Sequence, residues 1–122
     1  MPAKQKGPSN GGWGISWQDV GVAHDEHQLH HNCTIEWSTY RYPKYRKAER
    51  MIWSVVAYAR WRRDTPNEIR GWGSCEVGTS TGAASMPGAY LTAMLRAVDD
   101  LENRRSNPLA EQEILFLPGR ED

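Results

Sequence analysis

From Met51 to Arg63 the character of the chain changes with every residue. Met51, Trp53, Val55, Ala57, Ala59 and Trp61 are apolar, and the positions between them, Ile52, Ser54, Val56, Tyr58, Arg60 and Arg62, are mixed. A period of two predicts a strand packed on one face and partly covered on the other. Its length and its β-branched and aromatic content place it centrally in a sheet. Upstream, Cys33, Ile35, Trp37 and Thr39 alternate with Thr34, Glu36, Ser38, Tyr40 and Tyr42, which predicts a second strand. Pro43 ends it, because proline cannot donate to a ladder.

Downstream, Asp64 to Glu68 reads as a turn carried by Pro66 and Asn67, and Ile69 to Gly78 returns as a third strand. Gly71 and Gly73 leave one face of that strand as bare backbone, which lets a helix or another backbone approach closely. Thr79 to Ser85 is a small polar linker. Ser85 has the chemistry of a helix N-cap, with Pro87 in the first turn. The apolar positions Leu91, Met94, Leu95, Val98 and Leu101 then predict an amphipathic helix running to about Arg105, stopped by Ser106, Asn107 and Pro108. Ile114 to Leu117, bounded by Pro118, reads as an edge strand or an apolar clip.

The beginning of the chain is less patterned. Residues 1–12 read as a flexible tail, and the alternation of Trp13, Ile15 and Trp17 predicts a short strand. The stretch Val22 to His31 holds all four histidines and reads as a polar connecting loop or a single helical turn. On a helix His24, His27 and His31 would share one face, making them weak candidates for metal ligands. No second ligand cluster stands elsewhere to complete a tetrahedral site.

These elements predict an α+β fold: one antiparallel meander of three to five strands packed on one C-terminal amphipathic α-helix. The single domain would span 13–118, with 119–122 loose. With 122 residues, 25% charged and 39% hydrophobic, the chain has the composition of one globular domain, not of a disordered one. No apolar run approaches the roughly 20 residues of a membrane helix, and the N-terminus lacks the apolar core of a signal peptide. A soluble, cytoplasmic protein without a membrane partner is therefore expected. Cys33 and Cys75 form no CxxC pair and fall on strands separated by a third, which predicts free thiols.

Function has to be read from the surface, since no complete catalytic, metal or nucleotide motif is present and no cofactor is implied. Arg41 to Arg63 holds eight basic residues and one acid, a net charge of +7 in a chain that sums to zero. A field so polarised points to an anionic partner. A symmetric register would set Glu36 opposite Tyr58, Arg60 opposite Trp72 and Arg62 opposite Arg70. The uncovered face then displays Tyr40, Tyr42, Tyr58 and Trp72 among Arg60, Arg62 and Arg70. Such a face suits a single strand of DNA or RNA, because aromatic rings stack on bases and arginines meet phosphates. Lys44, Arg46, Lys47 and Arg50 in the hairpin connection would add phosphate contacts.

In strand order, a four-stranded meander followed by a helix resembles the Whirly and positive-cofactor type of single-stranded-DNA-binding domain. The last three strands plus the helix resemble a double-stranded-RNA-binding domain, although TSTGAASMPGAY lacks the lysine pair of that family's helix start. These likenesses imply fold alone and carry over no site residues. Tryptophan, tyrosine and arginine are also enriched at protein interfaces, so a structural or assembly role, for example viral, with the aromatic face in a homo-oligomer contact is the alternative. A homo-oligomer is expected under either reading, because one helix leaves one face of the sheet without cover. A metal-dependent enzyme is the third reading. The meander, helix and following strand resemble the opening of a ribonuclease-H-like fold, with Glu36 on the first strand. The last strand, ending LFLPG, lacks the acid such a site requires.

Overall fold

A computed structural model of the chain describes residues 14–43 and 51–106. The elements run in the order α1 (Trp17–His31), β1 (Thr34–Pro43), β2 (Met51–Trp61), β3 (Ile69–Val77) and α2 (Met86–Arg105). The three strands form one antiparallel sheet in sequential order, with β2 in the middle. The fold is thus the expected α+β meander with the C-terminal helix on the sheet, and a second helix precedes it. The tail 1–12, the connection 44–50 and the segment 113–117 lie outside the described residues.

The first element corrects the sequence reading. Trp17 begins a helix instead of continuing a strand. Ser16 caps it by accepting from the Asp19 N–H at 3.1 Å, and the Asp19 carboxylate accepts from the Ser16 N–H at 2.9 Å. This reciprocal pair satisfies two donors that a helix start otherwise leaves bare. The histidine-bearing stretch is therefore part of a helix of four turns, ended by Asn32 in the left-handed region at φ 54°.

Both helices lie on the sheet face made by the odd-numbered residues. Trp17 at the start of α1 meets Tyr90 edge-on at 4.9 Å, and His31 at its end meets Glu102 at 2.6 Å. The helices therefore run side by side in the same direction. Trp37 lies under both, with its Nε1 donating to the Tyr90 carbonyl at 3.0 Å and its ring 5.0 Å from that of His24.

Helix α2 sits unusually close to the sheet because small residues meet small residues. Ala57 pairs with Gly73 and Ala59 with Gly71 across β2 and β3, while Ala89, Ala93 and Ala97 line the facing side of α2. A Cβ at Gly71 would stand 2.3 Å from the Leu101 nitrogen, and one at Gly73 would stand 2.4 Å from the Arg96 Cβ. The expectation of a close approach at these glycines is met.

The buried stripe of α2 is rotated from the expected one. Ala89, Ala93, Met94, Ala97, Val98 and Leu101 are buried, while Leu95 is 42% exposed. Alanine spacing, not leucine spacing, marks the contact line, since only a methyl fits above the glycines. On the odd-numbered face of the sheet Ile35, Val55, Ala57 and Cys75 are buried and Trp37, Trp61 and Val77 pack around them, whereas Trp53 is 39% exposed with Arg41 5.4 Å over its ring. Cys33 and Cys75 are both free thiols. No helix among the described residues is long and apolar enough to cross a membrane.

Candidate functional site on the open sheet face

The even-numbered residues form the other face, and no described element covers it. The register sets them in rows across the strands. Thr34, Arg60 and Arg70 form one row, followed by Glu36, Tyr58 and Trp72, then Ser38, Val56 and Ser74, then Tyr40, Ser54 and Glu76. Glu36 stands opposite Tyr58 as expected. The second hairpin is shifted by two residues, so Arg60 faces Arg70 and Tyr58 faces Trp72. A shift of two keeps every side chain on its predicted face.

Four aromatic side chains were expected here, and all four are present. Tyr40 and Trp72 are 49% and 53% exposed, and Tyr58 is half-buried between them. The row Ser38, Val56 and Ser74 lies between Tyr40 and the Tyr58 and Trp72 row, and the Tyr40 hydroxyl reaches across it to Tyr58. Burial, then the neighbouring Tyr40 hydroxyl, raises the Tyr58 phenol above its ordinary value, with Arg70 opposing. Tyr42 is less available, because its hydroxyl donates to the Glu76 carboxylate, which in turn raises the phenol's pKa.

The arginines are arranged differently from expectation. Arg60 lies under three carboxylates: Glu68 at 2.6 Å, Asp64 at 3.2 Å and Glu36 at 3.5 Å. Its side chain is only 15% exposed, so it neutralises acids instead of facing solvent. Glu68 also accepts from the Asp64 N–H at 3.1 Å, and the Arg60 hydrogen bond followed by this backbone donor lowers its pKa to about 2. Arg62 leaves the face altogether. The strand stops at Trp61, Arg62 takes φ 57°, and its guanidinium lies 4.0 Å over the Trp61 ring. Arg105 approaches the same ring at 4.6 Å. Arg70 remains exposed, 6.0 Å from the Tyr58 ring centroid and 3.4 Å from Glu68. Arg63, which was not singled out from sequence, joins the site by pairing with Glu36 at 2.9 Å.

Lys44, Arg46, Lys47 and Arg50 lie outside the described residues. Among the described groups on this side, Arg60, Arg63 and Arg70 stand against Glu36, Asp64, Glu68 and Glu76. Three cations against four carboxylates leave the described part of the face with no excess of positive charge, and Tyr40 and Trp72 stand exposed beside Arg70.

His24, His27 and His31 occupy the inward side of α1, and His30 is exposed. His24 Nε2 bonds the Ile35 carbonyl at 3.0 Å, and His31 Nδ1 bonds Glu102. His27 and His31 stack in parallel with centroids 5.5 Å apart. Burial, then His31, holds His27 below its ordinary value. Among the described residues no three histidine, cysteine or carboxylate side chains converge in a way that would hold a metal ion. His24 and His31 instead serve as polar struts between α1, β1 and α2.

Glu36, the carboxylate considered for metal chemistry, is held by Arg63 and Arg60. Comparison of the chain with family models, curated proteins and solved structures finds no match.

Proposed function

We propose that the protein binds single-stranded nucleic acid across the open sheet face. Tyr40, Tyr58 and Trp72 would stack on bases, Arg70 would meet phosphate, and the four basic side chains that the sequence places in 44–50 would add charge. The observation that carries the reading is the pair of half-exposed rings, Tyr40 and Trp72, held on a rigid three-strand platform. Arg60 is removed from the binding set, since three carboxylates already hold it.

Fluorescence anisotropy of labelled single-stranded and duplex oligonucleotides, at low and moderate salt, tests this. Each stacked base is worth about 1–3 kcal/mol, so Trp72→Ala and Tyr40→Ala should each weaken binding about 5- to 150-fold. Arg60→Gln should leave the salt slope unchanged, because that guanidinium contacts no phosphate. No binding at low salt would reject the reading.

The lack of excess positive charge among the described groups of the face favours a second reading, in which the aromatic face packs against another copy of the chain. An exposed aromatic patch with its arginines already paired resembles an interface core, where charge is depleted. Under that reading Trp72→Glu disperses an oligomer and no oligonucleotide binds.

A further inference from the structure

The two edges of the sheet are treated differently. In β3 the even-numbered residues direct their backbone groups away from β2, and one group of each of Trp72, Ser74 and Glu76 is already taken. The Trp72 N–H donates to Asp100 at 3.0 Å, the Ser74 carbonyl accepts from Arg96 at 2.7 Å, and the Glu76 carbonyl accepts from the Ala83 N–H at 2.8 Å. Two side chains of α2 and the segment before it thus lie along this edge and obstruct it. An edge obstructed in this way is a poorer template for another strand.

In β1 the odd-numbered residues face outward. Ile35 is closed by α1: its N–H donates to Gln28 at 2.9 Å and its carbonyl accepts from His24 at 3.0 Å. Pro43 has no N–H to offer. Between these two stops, the outward backbone groups of Trp37, Thr39 and Arg41 have no partner among the described residues, and Ser38 to Arg41 are all exposed. The open stretch is symmetric about Thr39.

We propose that the outer edge of β1 pairs antiparallel with the same edge of a second copy, about a two-fold axis through Thr39, joining two three-strand sheets into one. Thr39 then faces Thr39, and Trp37 of each copy faces Arg41 of the other. At each pairing two hydrogen bonds are exchanged, which uses every free outward group. Beyond these pairs the closed Ile35 falls opposite Pro43, where neither side has a donor left, so the ladder ends where its donors do.

Charge supports a second copy as the occupant. The charged side chains of the stretch, Glu36 and Arg41, fall opposite Tyr42 and Trp37, so no like charges meet across the axis. Arg41 already lies over an indole, that of Trp53, within its own chain. The pairing is independent of whether the open face binds nucleic acid.

Sedimentation velocity over a concentration series tests it, alongside circular dichroism to confirm folding. Thr39→Pro removes the outward N–H on the axis without touching the β1–β2 ladder. Thr39→Lys keeps the backbone and sets two ammonium groups opposite each other. The wild type should form a dimer, both Thr39 variants should be monomeric, and Trp72→Glu, on the open face, should remain dimeric. Thr39→Lys carries the test alone if the proline variant fails to fold. A monomeric wild type at the highest accessible concentration, a dimer that survives Thr39→Lys, or a dimer lost in Trp72→Glu but not in Thr39→Lys would each overturn the proposal.

Discussion

Replacing Gly71 with alanine adds one methyl group at the point where α2 lies closest to the sheet. That Cβ would stand 2.3 Å from the Leu101 nitrogen, 2.5 Å from the Ala97 carbonyl oxygen and 2.6 Å from the Leu101 Cα. All three are helix backbone, so no side-chain rotation relieves the contact. Restoring ordinary van der Waals separation requires α2 to move off the sheet by about 1 Å, and a gap of that size forfeits a quarter to a half of each dispersion contact it opens. The residues that lose contacts are Ala93, Met94, Ala97, Val98 and Leu101, the most buried part of the core. Overpacking typically costs about 1–3 kcal/mol, and a backbone obstacle puts this site at the upper end, about 3 kcal/mol. Urea denaturation followed by tryptophan emission measures it. With a slope of about 1–1.5 kcal/mol/M for a small domain, the midpoint should fall by about 2–3 M. Gly21→Ala is the control. It lies in the interior of α1 with nothing within 4 Å of its added methyl, and it should gain about 0.5–1 kcal/mol from helix propensity. A Gly71→Ala variant within about 0.5 kcal/mol of wild type would refute the close seating of α2.

The rotated stripe of α2 is testable in the same assay: Met94→Ala should cost about 2–5 kcal/mol, while Leu95→Lys, at a position 42% exposed, should stay within about 0.5 kcal/mol of wild type. The Arg60 cluster is tested by pH. Glu68 has a folded pKa of about 2 against an ordinary 4.5, so its contribution to stability is present above about 4.5 and is lost as pH falls toward 2. Denaturation midpoints at pH 7 and pH 3 should therefore converge in Glu68→Gln relative to wild type, and an unchanged acid dependence would count against the cluster.

The parts legible in the sequence are those whose pattern is set by one face. The three strands alternate because one side packs on helices, and α2 starts at Met86 behind its Ser85 cap as the sequence predicts. Helix α1 was missed because it has almost no apolar stripe. Val20 is its one buried residue, and it is anchored through His24, Gln28 and His31, whose polar character looks like loop. A local signal was present in Ser16 and Asp19, spaced as a capping box, but the alternation of Trp13, Ile15 and Trp17 pointed the other way. On α2, leucine and valine positions drew attention from Ala89, Ala93 and Ala97, whose spacing matches the bare backbone of Gly71 and Gly73.

Charge was the least legible feature, because a linear count omits the acids that the fold brings in from outside the counted stretch. The +7 of residues 41–63 excludes Glu36, Asp64 and Glu68, and the structure sets all three on Arg60. The available charge therefore depends on these pairings, and one substitution can change it with little effect on the fold. Glu36→Gln removes the anion that holds Arg63 at 2.9 Å, while Arg60 keeps Glu68 and Asp64. Arg63, 44% exposed, then keeps only Asp64, itself 74% exposed, at 3.6 Å, and can turn to a phosphate at the end of the platform that carries Tyr58 and Trp72. For a single strand, each added phosphate contact steepens the dependence of log affinity on log salt by about 0.7. If nucleic acid crosses the face, Glu36→Gln should bind more tightly at low salt with a slope steeper by about that amount, measured by anisotropy titration at several salt concentrations. An affinity and slope identical to wild type would mean that no phosphate passes Arg63, and would confine any strand to the Tyr40 end of the sheet.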